Sequence, residues 1–174
     1  MSYQMYEVAT INFMVWEGAN RFVGVASVKL PDINQIIATV SGAGIAGRIE
    51  VPISGQLEPM ETTLNFNAYG FEVARLRAPG RHDIELRPAV QNEDKVAGEI
   101  VVGGEKHVMV IVPKNLSGAT IAPASARETS LVAAVRYWAH FIDGAMVHEI
   151  DPLNHIFVID GVDYAAPVRR ALGL

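Results

Sequence analysis

Residues 131–151 read LVAAVRYWAHFI, then DG, then AMVHEID. Two apolar runs flanking a bare Asp-Gly are the strongest short signal for a β-hairpin, because a type I′ turn needs positive φ at both central positions. A two-residue turn at Asp143-Gly144 sets Ile142 opposite Ala145, Phe141 opposite Met146, Ala139 opposite His148, Tyr137 opposite Ile150 and Arg136 opposite Asp151. Successive side chains alternate between faces. One face therefore collects Tyr137, Ala139, Phe141, Met146 and Ile150 and reads as a core face. The other carries Trp138, Glu149 and the oppositely charged pair Arg136 and Asp151. It is too apolar to meet only water, so it is expected to meet a second sheet or a second subunit.

Working outward, the same strand chemistry recurs along the chain. Strands are expected at 11–16, at 21–30 ended by Pro31, at 33–41, at 58–66, at 83–91, at 95–102, and at 107–112 stopped by Pro113. Glu17-Gly18-Ala19-Asn20 reads as a turn and the first ten residues as an arm. Asn67 is the expected N-cap of one short helix, 68–78, ended by Pro79-Gly80. Gly103-Gly104 admits either a turn or a bulge within one long strand. Residues 41–56, SGAGIAGRIEVPISGQ, and 114–127 are irregular. Strands do not alternate with helices, so a parallel sheet is not expected. The fold class is mainly β: an antiparallel β-sandwich or barrel with one short α-helix, in a single domain spanning 1–174.

Composition bounds the function. Half of the 174 residues are hydrophobic and 19% are charged, which is globular and not disordered. There is no cysteine, so thiolate and disulfide chemistry are excluded. No apolar run is long enough to span a bilayer, and MSYQMYEVAT lacks the pattern of a secretion signal, so a cytosolic origin with no membrane anchor is expected. A net charge of −5 with scattered arginines argues against tight DNA binding.

Sites for chemistry are sparse. In the register above, His148 shares a face with Ala139 while His140 points to the other, so the two cannot share a metal ion. HxH and HExxH spacings are absent, as are GxSxG and dinucleotide fingerprints. SGAGIAG resembles a phosphate loop but lacks the following Lys-Ser/Thr and a helix. Asp143 and Asp160 precede glycines, which is turn chemistry. Catalytic residues, metal ligands and cofactors are therefore expected to be absent, and the chain is expected not to be an enzyme.

A family resemblance completes the reading. The end EIDPLNHIFVIDGVDY…RRALGL resembles the C-terminus of the major tail tube proteins of contractile-tailed phages and of R-type tail-like bacteriocins. The match runs through Glu149, Ile150, Asp151, Asn154, Asp160, Gly161, Val162, Asp163 and the terminal Leu172-Gly173-Leu174. The opening is similar too: a short strand, Glu17-Gly18, and a strand ending in Leu30-Pro31. The resemblance implies a structural virion protein, assembled in the host cytoplasm, whose hexameric rings stack into the inner tube of a contractile tail and conduct DNA during ejection. It implies that 41–56 is an extended inter-ring loop, with self-assembly residues Gly42, Gly44, Gly47, Arg48 and Glu50. The implied partners are the subunit itself, the tail sheath, the tape-measure protein, the baseplate hub, the tail terminator and DNA sliding through the lumen. Glu93, Glu99 and Glu105 are candidate lumen acids. The rival readings are the tube of a tail-like bacteriocin, of a non-contractile tail or of a type VI secretion system. A more remote rival is a small-molecule-binding β-barrel.

Overall fold

The computed structural model describes residues 5–18 and 21–174. In chain order the strands are β1 (Met5–Glu17), β2 (Arg21–Val23), β3 (Ser27–Lys29), β4 (Gln35–Val40), β5 (Ile49–Leu57) and β6 (Met60–Phe66). A one-turn helix α1 (Phe71–Arg75) precedes β7 (His82–Asp94), β8 (Ile100–Leu116), β9 (Thr129–Ile142), β10 (Ala145–Asp151), β11 (Ile156–Ile159) and β12 (Val162–Asp163). The chain closes on α2 (Ala166–Leu172). The fold is mainly β and antiparallel, as expected, with two helices where the sequence suggested one.

The main sheet runs β12-β11-β10-β9-β8-β7-β1-β2. β9 is its branch point. One edge of β9 pairs with β8 along its length. The other pairs with β6 in the first half, where Leu64 faces Leu131, and with β10 in the second. The burial of β6 shows why it lies there: Met60, Thr62, Leu64 and Phe66 are buried at period two. Thr129, Leu131, Ala133 and Val135 of β9 repeat that pattern. The sheet curls on itself, because Val23 at one end and Phe157 near the other join a single core with Leu76, Ile84, Met109, Ile111 and Ile150. β4 and β5 stand apart as a two-stranded sheet.

Several local expectations are corrected. The arm is not an arm from Met5 onward, because β1 starts there and pairs Met5 with Asp94. Residues 21–30 do not form one strand. β2 ends before Gly24 and pairs with β1, whereas β3 pairs with β6. The turn before β2 is described only through Gly18, and Ala19 and Asn20 lie outside the described residues. The helix caps at Gly70, not Asn67. β8 passes straight through Gly103-Gly104 in constant register with β7, and through Pro113. Pro113 lies beyond the end of the β7 pairing at Ile111 and directly before the register shift against β9 between Pro113 and Asn115, an edge and bulge position where a strand accommodates proline.

The hairpin of β9 and β10 carries the most consequential correction. Its turn is as read: Asp143 has φ 47, Gly144 has φ 84, and Ile142 faces Ala145. After Met146↔Phe141 the register slips by one, with Val147 the extra residue, so His148 faces His140 and Ile150 faces Trp138. Against β8, β9 slips again around Arg136, with Val110↔Tyr137 followed by Ile111↔Val135. A bulge re-aims every side chain beyond it. Trp138, His148 and Ile150 therefore line the core with Val135. Tyr137 turns to the opposite face, where its hydroxyl donates to Glu149 at 2.9 Å.

Candidate functional site

The β4–β5 hairpin is the part of the molecule least used by its own fold. Ile36, Ile37, Val40, Ile49, Val51 and Ile53 are all exposed, Ile37 at 54%. In the regular part of the ladder Ile37 lies on one face and Val40, Ile49 and Val51 on the other, so apolar surface is left on both sides of the ribbon. The only charges from 35 to 57 are Arg48 and Glu50. Isolated two-stranded ribbons are marginal in water.

The assembly residues named from the sequence fall here together. Gly42, Gly44, Gly47 and Arg48 make the exposed tip, and Glu50 lies opposite Thr39 on β5. Gly44 (φ 89) and Gly47 (φ 132) supply conformations that other residues adopt only under strain, and Ile45 N–H donates to the Gly42 carbonyl at 3.1 Å. The stretch 41–56 is thus half turn and half strand. At its base Gly55 runs against α2, where an added Cβ would meet the Ala165 Cβ at 3.7 Å.

A second unspent surface is the outer edge of β1. β2 covers only Val15, Trp16 and Glu17, so from Met5 to Met14 that edge has no strand partner among the described residues. Met5, Val8, Ile11 and Met14 are exposed along it, with Phe22 beside it on β2. Long edges of this kind, here with Glu7 as their one charge, template further strand pairing.

The β9–β10 turn and the C-terminal residues that carry the resemblance act as structural ties. The Asp143 carboxylate accepts from Gly104 N–H at 2.9 Å and anchors the turn to β8. Beside it, a Cβ added at Gly103 would lie 2.9 Å from Asn92 Nδ2, so the Asn92 side chain would have to shift. Asp151 is not the cross-strand partner of Arg136. The slipped register separates them, and Asp151 accepts instead from the backbone N–H of Leu153 at 3.0 Å and of Asn154 at 3.1 Å, capping the next turn. Asp163 pairs with Arg169, whose guanidinium holds that carboxyl below the usual range. Arg169 also donates to the His155 carbonyl at 2.6 Å, fastening α2 to the turn before β11.

The sequence reading missed one cluster. His107, His140 and His148 meet on one face of β8, β9 and β10, because the bulge at Val147 brings His148 opposite His140. Only the three-dimensional register reveals it. His107 and His148 are each held at about pKa 4, first by burial and then by the neighbouring His140. Glu105 turns inward against His107 and His140, which removes it from the candidate lumen acids. Glu99 is exposed, and Glu93 accepts from the Tyr6 hydroxyl at 2.6 Å.

Against known proteins, the family described as phage tail tube protein FII matches residues 9–173. No curated protein matches the chain. Among solved structures, the fold is similar to a chain of the sheath–tube complex of an extracellular contractile injection system, PVC, in its extended state. That match has a TM-score of 0.57 at 14% identity, covering 78% of this chain and 92% of that one. It is also similar to a chain of the anti-feeding prophage cap, with a TM-score of 0.55 at 18% identity, covering 78% and 91%. At such identities the likeness concerns the fold alone, whereas the family match spans nearly the whole chain. The chain belongs to the phage tail tube protein FII family, and its role is that of a structural tail tube subunit.

Proposed function

We propose that six subunits join edge to edge into a ring and that rings stack into the inner tube of a contractile tail. The observation that carries this reading is the β4–β5 hairpin, apolar on both faces and almost uncharged. It is suited to be buried between rings, with Gly42, Gly44, Gly47, Arg48 and Glu50 at the contact. The free edge of β1 supplies backbone donors and acceptors for sheet pairing between neighbours. Head-to-tail contacts that close give rings, and rings stacked with a rotation give an open tube.

In this reading the sheath grips the outside, a tape-measure protein sets the length, and the baseplate hub and terminator close the ends. Sheath shortening drives the tube through the host envelope, and DNA passes down the lumen. Six subunits at −5 carry −30 per ring, and any share facing inward repels phosphate. Replacing Glu93 and Glu99 by lysine is expected to slow DNA release, and release at the normal rate would remove the repulsion idea.

Negative-stain microscopy of the concentrated protein, with a light-scattering mass, tests the assembly. Hollow rings or tubes with sixfold end views are expected, alone or after adding tail baseplates. A chain that remains monomeric with baseplates present, and binds a small molecule instead, would replace this reading with a ligand-binding barrel. A tail-like bacteriocin, a non-contractile tail or a type VI secretion tube would give the same rings and differ in the particle that carries them.

A further inference from the structure

Three histidines on adjacent strands occupy positions where the fold elsewhere places leucine, isoleucine and methionine. His107 faces His140, and His140 faces His148. Two are deeply buried, His107 at 2% exposure and His148 at 8%. The His107 and His140 rings stack with centroids 4.1 Å apart, and the His148 centroid lies 5.3 Å from that of His140. Glu105, two residues before His107 on β8, shares this face. Its Oε2 stands 3.4 Å from Nε2 of His107 and 3.4 Å from Nε2 of His140. One ligand atom each from Glu105, His107 and His140 fall within 4.8 Å of one another.

Two features separate this cluster from a satisfied polar patch. The first is a shortage of partners: Nε2 of His140 and Nε2 of His148 are buried without any hydrogen bond. Buried imidazole nitrogens are costly when unpaired, and a fold that buries two side by side leaves lone pairs free for something else. The second is spacing. A charge-assisted N–H···O bond would close to about 2.8 Å. A tetrahedron around Zn²⁺ with bonds of about 2.0–2.1 Å has edges of about 3.3–3.4 Å, the separation seen from Glu105 to each of the two histidines. A cavity of about 570 Å³, bordered by Thr10, Phe13 and Leu30, opens onto the group and gives an ion a way in.

We propose that Glu105, His107 and His140 bind a divalent transition metal ion of the zinc class, with the fourth position left to a water from the adjoining cavity. Imidazole and carboxylate together suit Zn²⁺, Co²⁺ and Ni²⁺, while Mg²⁺ and Ca²⁺ select oxygen shells. The ion would join β8 and β9 at one point and occupy the orphaned Nε2 of His140. It would also disturb one contact. The Trp138 indole N–H donates to Nδ1 of His107 at 3.4 Å. A metal on Nε2 leaves the proton on Nδ1, so Trp138 must give up that bond, and its emission becomes a reporter. The inference does not depend on ring assembly and is read on the unassembled chain.

The experiment uses tag-free, full-length protein stripped with a chelator and titrated with Zn²⁺ by calorimetry, with Co²⁺ absorption in parallel. One Zn²⁺ per chain is expected, accompanied by a change in tryptophan emission and by the intense visible bands of four-coordinate Co²⁺. Glu105→Gln and His140→Gln are each expected to weaken Zn²⁺ binding by tenfold or more, while His155→Gln, outside the cluster, leaves it unchanged. Equal affinity in all variants, no saturable binding, or only the pale spectrum of six-coordinate Co²⁺ would overturn the assignment. The Co²⁺ spectrum of the unaltered chain decides the matter even if a variant fails to fold.

Discussion

β9 and the β4–β5 hairpin are built from the same kinds of residue and put them to opposite uses. In β9 the apolar side chains at 131, 133 and 135 are sealed in the core, each strand edge paired along most of its length. In the hairpin, Ile36, Ile37, Val40, Ile49, Val51 and Ile53 stay in contact with solvent, and β4 and β5 pair only with each other. Hydrophobicity alone therefore does not say where a residue goes. What differs is whether the chain itself provides a second layer. For β9 it does; for the hairpin it does not, and in the proposed assembly another subunit would.

The largest effect should come from the hairpin and leave the subunit intact. Ile37→Asp with Val51→Asp is expected to abolish tubes in electron micrographs while shifting the monomer's urea stability by no more than about 0.5 kcal/mol. Loss of monomer stability on the scale of a core mutation would erase the contrast. Leu131→Ala should do the reverse, costing about 3 kcal/mol in the same urea titration, because the site is sealed on all sides. A cost below about 1 kcal/mol would mean the site collapses around the gap. Gly144→Ala, at φ 84, should cost about 1–2 kcal/mol by thermal melting and sharpen the case that the β9–β10 turn is fixed locally.

The smallest effect depends on pH. Burial pushes the Glu17 carboxyl up, but hydrogen bonds from His82 and Arg21 outweigh it and the net shift is downward. Burial pushes His82 down, but the Ala78 carbonyl and Glu17 outweigh it and the net shift is upward. Glu17 thus stabilises the fold above its ordinary pKa, and the gain is lost as pH falls through its lowered value. His82 stabilises fully below 6.5, and the gain is lost as pH rises through its raised value. His82→Gln should therefore cost about 1 kcal/mol near pH 5.5 and less near pH 9. A flat difference across that range would mean that His82 acts without its charge.

Features written in adjacent residues were legible in the sequence. Asp143-Gly144 announced its turn, and the absence of helical periodicity announced an antiparallel β fold. Features settled by distant partners were not. Nothing near Val147 or Arg136 signals a bulge, yet those two slips decide that Trp138 and His148 face the core while Tyr137 does not. The break at Gly24 was equally silent, since β2 and β3 separate only because β1 and β6 draw them to different places. Residues 41–56 were singled out as an extended loop by resemblance, but their second half is a strand. The histidine cluster stayed hidden because it is a product of register and not of spacing.

The branch at β9 has a consequence for how the chain acquires its shape during synthesis. β6 is complete at Phe66, yet the strand it needs begins only at Thr129. Until then its four buried side chains have only the short β3 ribbon beside them. Contacts so far apart in sequence make for slow folding. Emerging from the ribosome, the first two thirds of the chain cannot complete the native core, and the arrival of one late strand closes both halves together.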